Sequence, residues 1–146
     1  MAAMFELDPA FLATSHAIGD LRLCAARLQD DARYPWIVLI PRRAALRELE
    51  DLPPGERGAL LDEVIAAGDA VRKLGEAAGR PVEKLNIAAL GNVTAQLHAH
   101  VVGRRADDPA WPDPVWGRPG ARPYDRLELE TALAVARQAL GLAPQP

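Results

Sequence analysis

Two of the chain's three histidines, His98 and His100, stand one residue apart in the run Thr94–Arg105, TAQLHAHVVGRR. In extended backbone side chains alternate between faces, so Gln96, His98, His100 and Val102 share one face. Leu97, Ala99 and Val101 share the other and point to a core. Residues two apart on a strand face have Cα atoms about 7 Å apart, so two imidazoles can act on one ligand. Histidine serves as nucleophile, acid or base near neutral pH. Three readings fit the pair: nucleophilic attack at phosphorus or carbon, two ligands of a metal site, and solvated rings with no chemistry. A metal needs a third ligand. The remaining histidine, His16, lies in TSHAIGD, which reads as a turn or surface segment.

The elements around this run can be read from periodicity and punctuation. DPAFLATS (8–15) suits a short helix with Asp8 as N-cap and Pro9 in the first turn. LRLCAARL (Leu21–Leu28) reads as a strand, and the Pro-terminated QDDARYP as a turn. WIVLIP (Trp36–Pro41) is a central strand antiparallel to its predecessor. Arg42–Gly79 is the helical part. Leu60, Leu61, Val64, Ile65, Gly68, Val71 and Leu74 recur at three- and four-residue steps, Pro53 and Pro54 suit the first turn, and GRP at 79–81 ends it. LNIAAL (Leu85–Leu90) is a strand, GNVTA a turn or strand entry, and QLHAHVV (Gln96–Val102) the histidine strand. Ala106–Asp125 holds five prolines and two tryptophans, which predicts an ordered loop packed by its indoles. In it Asp107 and Asp108 read as loop acids, and Arg104 and Arg105 just before it as a pair of which at least one is solvated. Arg126–Leu140 is a C-terminal helix, followed by a frayed tail. The pattern is an α+β domain on an antiparallel sheet.

Bulk properties narrow the function. The 146 residues carry a formal net charge of −3, against broad binding to extended nucleic acid. A small anionic ligand held by local donors remains compatible. The single cysteine, Cys24, excludes an intrachain disulfide and a Cys-rich zinc site, and it reads as a buried small hydrophobe. There is neither a secretory leader pattern nor an apolar run long enough for a membrane span, so the expectation is a cytoplasmic protein with no membrane contact.

GNVTAQLHAHVVGR closely resembles the signature of the histidine triad (HIT) superfamily, in which three histidines alternate with apolar residues. Here it stands as Gln96-Leu97-His98-Ala99-His100-Val101-Val102, with glutamine at the first position. WIVLIPRR, LNIAALGN and WPDPVWG resemble further family segments in the family's order, over roughly residues 16–117. The resemblance implies one HIT-like α+β domain over 1–146, with a sheet of about five antiparallel strands, one long helix and a C-terminal helix. It implies a homodimer that binds a small-molecule nucleotide and is a nucleotidyl hydrolase or transferase, or a binding module with little or no turnover. No cofactor and no metal is called for. By position, His98 matches the nucleophile and His100 the histidine at the phosphate oxygens. Gln96 takes the first triad position, and Asn86 and Asn92 match polar ligand contacts. Thr94 and the backbone of the GNVTA turn are candidate phosphate donors. Val93 stands where many members carry Ser or Thr. Leu28, on the LRLCAARL strand, is a candidate wall for the base. Trp36 stands where typical members have a further histidine near the first of the triad.

Overall fold

The protein is described from a computed structural model over residues 3–144. Five strands, β1 (Ser15–Asp20), β2 (Cys24–Gln29), β3 (Trp36–Pro41), β4 (Lys84–Ala88) and β5 (Ala99–Arg104), form one sheet in the order β1-β2-β3-β5-β4. Every neighbouring pair is antiparallel. The helices are α1 (Pro9–Thr14), α2 (Pro54–Ala77) and α3 (Arg126–Ala139). The expected α+β fold, with its five strands, long helix and C-terminal helix, is the fold observed.

Local chemistry explains the helix ends. Asp8 accepts the Ala10 N–H at the start of α1, with Pro9 in the first turn. Asp125 and Glu128 cap α3 reciprocally. Pro53 and Pro54 open α2, and Gly79 follows its end with φ of 72°, a backbone conformation that a side chain disfavours.

Several elements differ from the sequence reading. TSHAIGD is mostly strand β1, with His16 half-buried and its Nε2 3.1 Å from Asp30 Oδ1. Its pairing with β2, a tertiary contact, outweighs its weak local pattern. The helix begins only at Pro54, because residues 42–53 form a loop with one 3₁₀ turn at Leu49–Asp51. Leu61 and Ile65 are exposed at 60% and 62%, and the small Ala67 and Ala70 are buried in their stead. Finally, Leu142 in the tail packs against Gly19, whereas Gln145 and Pro146 lie outside the described residues.

The sheet separates two unlike layers. Towards α2 and α3 it presents Leu28, Ile37, Leu39, Leu97, Ala99 and Val101, which pack on Val64, Ala67, Val71, Leu74 and Ala136. The opposite face presents Trp36, Val38, Ile40 and Val102, covered by Phe11 of α1, by Tyr34 and by Ala110 and Val115 from the Pro-rich loop. Among the described residues no helix is long and apolar enough to cross a membrane.

Candidate functional site

Both histidines lie on the face away from the long helices. β5 begins at Ala99, so His100 is a strand residue, while Gln96 and His98 approach on the preceding turn. The run therefore departs from the expected strand over 96–102. Leu97, Ala99 and Val101 still point into the helix-side core, and that anchoring keeps His98 and His100 on one face. Their rings stand 4.7 Å apart, centre to centre, at 74°. They are 6% and 9% exposed.

Each imidazole is held by a different partner. The Nδ1 of His98 lies 2.6 Å from the backbone oxygen of Gln96. A carbonyl only accepts, so Nδ1 carries the proton and Nε2 is left free in the neutral ring. The indole N–H of Trp36 donates to Nδ1 of His100 at 3.0 Å. Phe11 meets His98 edge-on at 4.9 Å, and Trp116 meets His100 at 5.5 Å. Burial among these rings, aided by His98 alongside, pushes His100 down to about 4 from the usual 6.5.

The Gln96 side chain works on the protein itself. Its Oε1 accepts the Asp8 N–H and its Nε2 donates to the Glu6 oxygen, both at 2.9 Å. It thereby clasps the segment that brings Phe11 onto His98. Asn86 is also engaged. It sits on β4 opposite Val102, on the histidine face, and its Oδ1 accepts from Arg104 at 2.8 Å. Arg104 is buried, not solvated, and pairs with Asp108 at 2.7 Å. Burial alone would raise the Asp108 carboxyl. The bonds from Arg104 and from the Arg105, Trp111 and Ala110 N–H groups outweigh it and hold the group below the carboxylate range. Arg104 also donates to the Asp113 oxygen at 2.9 Å, which latches the Pro-rich loop over the sheet.

The other expected ligand residues lie on two different elements. Asn92 and Val93 are exposed on the loop between β4 and β5, with Thr94 half-buried beside them. Leu28 faces the helices, opposite Ile37, and is fully buried in that core, so it cannot wall a slot beside the histidines. The phase of LRLCAARL allowed either face, and β2 starts only at Cys24. In contrast, Arg27 points to the histidine side. It aligns with Val38, which in turn aligns with His100. Buried at 8% exposure, it bonds Ser15 Oγ and the Ser15 oxygen rather than a carboxylate, and desolvation lowers its affinity for the proton. Sequence periodicity carried no signal for Arg27, Phe11 or the Gln96 clasp, since each depends on segments far apart in the chain. A groove of about 160 Å³, lined by Arg47, Glu48, Leu90, Gly91, Gln96 and His98, borders the site. Among the described residues no three His, Cys, Asp or Glu side chains are grouped to hold a metal ion.

This geometry coincides with a family model: the HIT domain matches residues 11–107. The chain belongs to the HIT family. A histidine triad protein from Sinorhizobium meliloti 1021 is similar at 40% identity and a TM-score of 0.85, over 93% of this chain and 97% of that one. One from Marinobacter aquaeolei VT8 is similar at 37% identity and a TM-score of 0.86, over 97% and 100%. A hypothetical histidine triad nucleotide-binding protein from Sulfolobus tokodaii strain 7 shares the fold at 15% identity and a TM-score of 0.57, over 90% and 89%. No curated protein matches. Within the HIT domain, the two histidines and the loop leading to them form the candidate site.

Proposed function

We propose that this HIT-domain protein binds a small nucleotide and cleaves its phosphoanhydride or phosphoramidate bond through His98. The observation that carries the reading is the bond from His98 Nδ1 to the Gln96 oxygen, which leaves Nε2 as the nucleophile. Nε2 attacks the α-phosphorus; the Nε2–P bond forms as the bond to the leaving group breaks. Water then attacks the nucleotidyl-histidine, releasing the monophosphate and restoring the ring. His100 supplies an N–H to the phosphate oxygens, and the backbone N–H groups around Asn92, Val93 and Thr94 supply others. Gln96 occupies the first triad position, where it positions the chain and carries no titrating proton. Asn86 shapes the site through Arg104, and the buried cation of Arg27 on the same face favours an anionic ligand.

The test is a rapid acid-free quench with adenylated and guanylated substrates, followed by mass spectrometry and assay of monophosphate release. The expected result is a nucleotidyl adduct on His98 and loss of release in His98→Ala. Release that survives His98→Ala would overturn the nucleophile. The low exposure of both rings favours a second reading, a binding module, and nucleotide binding without adduct or release would select it.

The reading includes a homodimer. Among the described residues no strand pairs with the outer edge of β4, and Ile87 and Leu90 near it are 53% and 44% exposed. Beside them the exposed Leu61 joins Leu49 and Leu52 around an apolar groove of about 530 Å³. A second copy of the chain covers such an edge. Light scattering is expected to give a dimer mass that Leu61→Glu with Ile87→Glu reduces to a monomer; an unchanged mass would refute this interface.

A further inference from the structure

The two imidazoles touch neighbours of opposite hydrogen-bonding character. The Gln96 carbonyl at His98 can only accept, and the Trp36 indole at His100 can only donate. Each neighbour therefore dictates a tautomer, and the two tautomers differ. At His98 the proton sits on Nδ1. At His100 the acceptor is Nδ1, so in the neutral ring the proton sits on Nε2. The pair thus offers one lone pair and one N–H side by side, on rings 4.7 Å apart.

We infer that Trp36 is a positioning residue that locks His100 as a neutral, Nε2-protonated donor. The register makes this contact possible. Trp36 is the first residue of β3 and lies opposite Val102, while His100 lies opposite Val38. Indole and imidazole are therefore diagonal cross-strand neighbours on one face, a separation that an aromatic side chain spans. The lock has a second part. Trp36 stands 5.7 Å from His100 at 64°, Trp116 closes on both rings, and together they keep water from the imidazole. A hydrogen bond to the unprotonated Nδ1 and loss of solvent both favour the neutral ring, in line with the lowered proton affinity of His100. A histidine at position 36 would not do the same, because imidazole both donates and accepts and titrates in the same range as its partner. An indole has one fixed proton at every accessible pH. The consequence is a His100 whose donor role is independent of pH through the neutral range, without a third titrating ring in the site.

This inference deepens the proposed function, since it assigns the state of His100 in that reaction, but its test is separate from turnover. The experiment is two-dimensional ¹H–¹⁵N NMR of the histidine ring nitrogens in the ligand-free protein, from pH 5 to 8, on wild type and Trp36→Phe. In wild type His100 is expected to show a protonated Nε2 and an unprotonated Nδ1, with no titration across the range. In Trp36→Phe the nitrogen shifts are expected to average between tautomers, and the midpoint to climb towards the ordinary value near 6.5. Both tautomers at His100 in wild type, or a titration within the range, would refute the lock whether or not the variant folds. A folded Trp36→Phe with wild-type His100 shifts and midpoint would also refute it. The result stands apart from catalysis: a protein that forms no nucleotidyl adduct still shows the lock, and an adduct on His98 in a protein whose His100 shows mixed tautomers overturns the lock alone.

Discussion

The two faces of the sheet are built on different terms. Towards α2 and α3 the contacts are mostly aliphatic, made by regular elements whose spacing aims the side chains, as with Leu39, Val71 and Leu74, with Glu63 of α2 accepting the Leu23 and Cys24 N–H groups at one end. Towards the histidines the covering pieces are α1, its preceding segment and the Pro-rich loop. α1 is short and the other two segments are irregular, so side chains help hold them: Gln96 clasps Glu6 and Asp8, and Arg104 latches Asp108 and Asp113. The helix face gains stability from area removed from water, which is indifferent to direction. The histidine face spends buried polar groups to set direction, which a ring nitrogen requires.

Breaking each face should therefore have a different signature. The largest effect is expected from Arg104→Ala, which leaves Asp108 buried and unpaired and frees the loop that carries Trp116; urea unfolding should show a loss of about 3–5 kcal/mol, with changed His100 ring signals. Leu39→Ala, on the other face, should cost about 2–5 kcal/mol and leave both histidine rings unchanged by NMR. The burial of His100 gives a pH-dependent term. Its ring titrates near 6.5 in the unfolded chain and near 4 in the fold, so between these values the unfolded state binds more protons. This contribution is complete above about pH 6.5 and is lost as pH falls towards 4, a change on the order of 3 kcal/mol. Comparing urea midpoints at pH 7 and 4.5 for wild type and His100→Asn isolates it, and the variant should lose less stability on acidification. The smallest effect is expected from Gln96→Ala, about 1–2 kcal/mol for a lost pair of hydrogen bonds. It should speed amide exchange at Asp8 and leave the helix-side core protected.

Much of this molecule was legible in its sequence for a physical reason. Strand and helix periodicities, proline and glycine stops, and the alternation of Leu97, Ala99 and Val101 with His98 and His100 are local properties of the chain. They defined the α+β class, the long and C-terminal helices, and the shared face of the two histidines. Pairing across the chain was not local, so only the tertiary structure decided it. β1 exists because β2 offers it a partner, and Leu28 belongs to the helix-side core because the register sets it opposite Ile37. Gln96, read from sequence as a substituted member of a triad, is satisfied by backbone atoms some 90 positions away. Trp36, which the sequence marked as the start of a strand and the place of a missing histidine, meets His100 across 64 positions. Residue type determined what each group was able to donate or accept; only folding determined which partner it met.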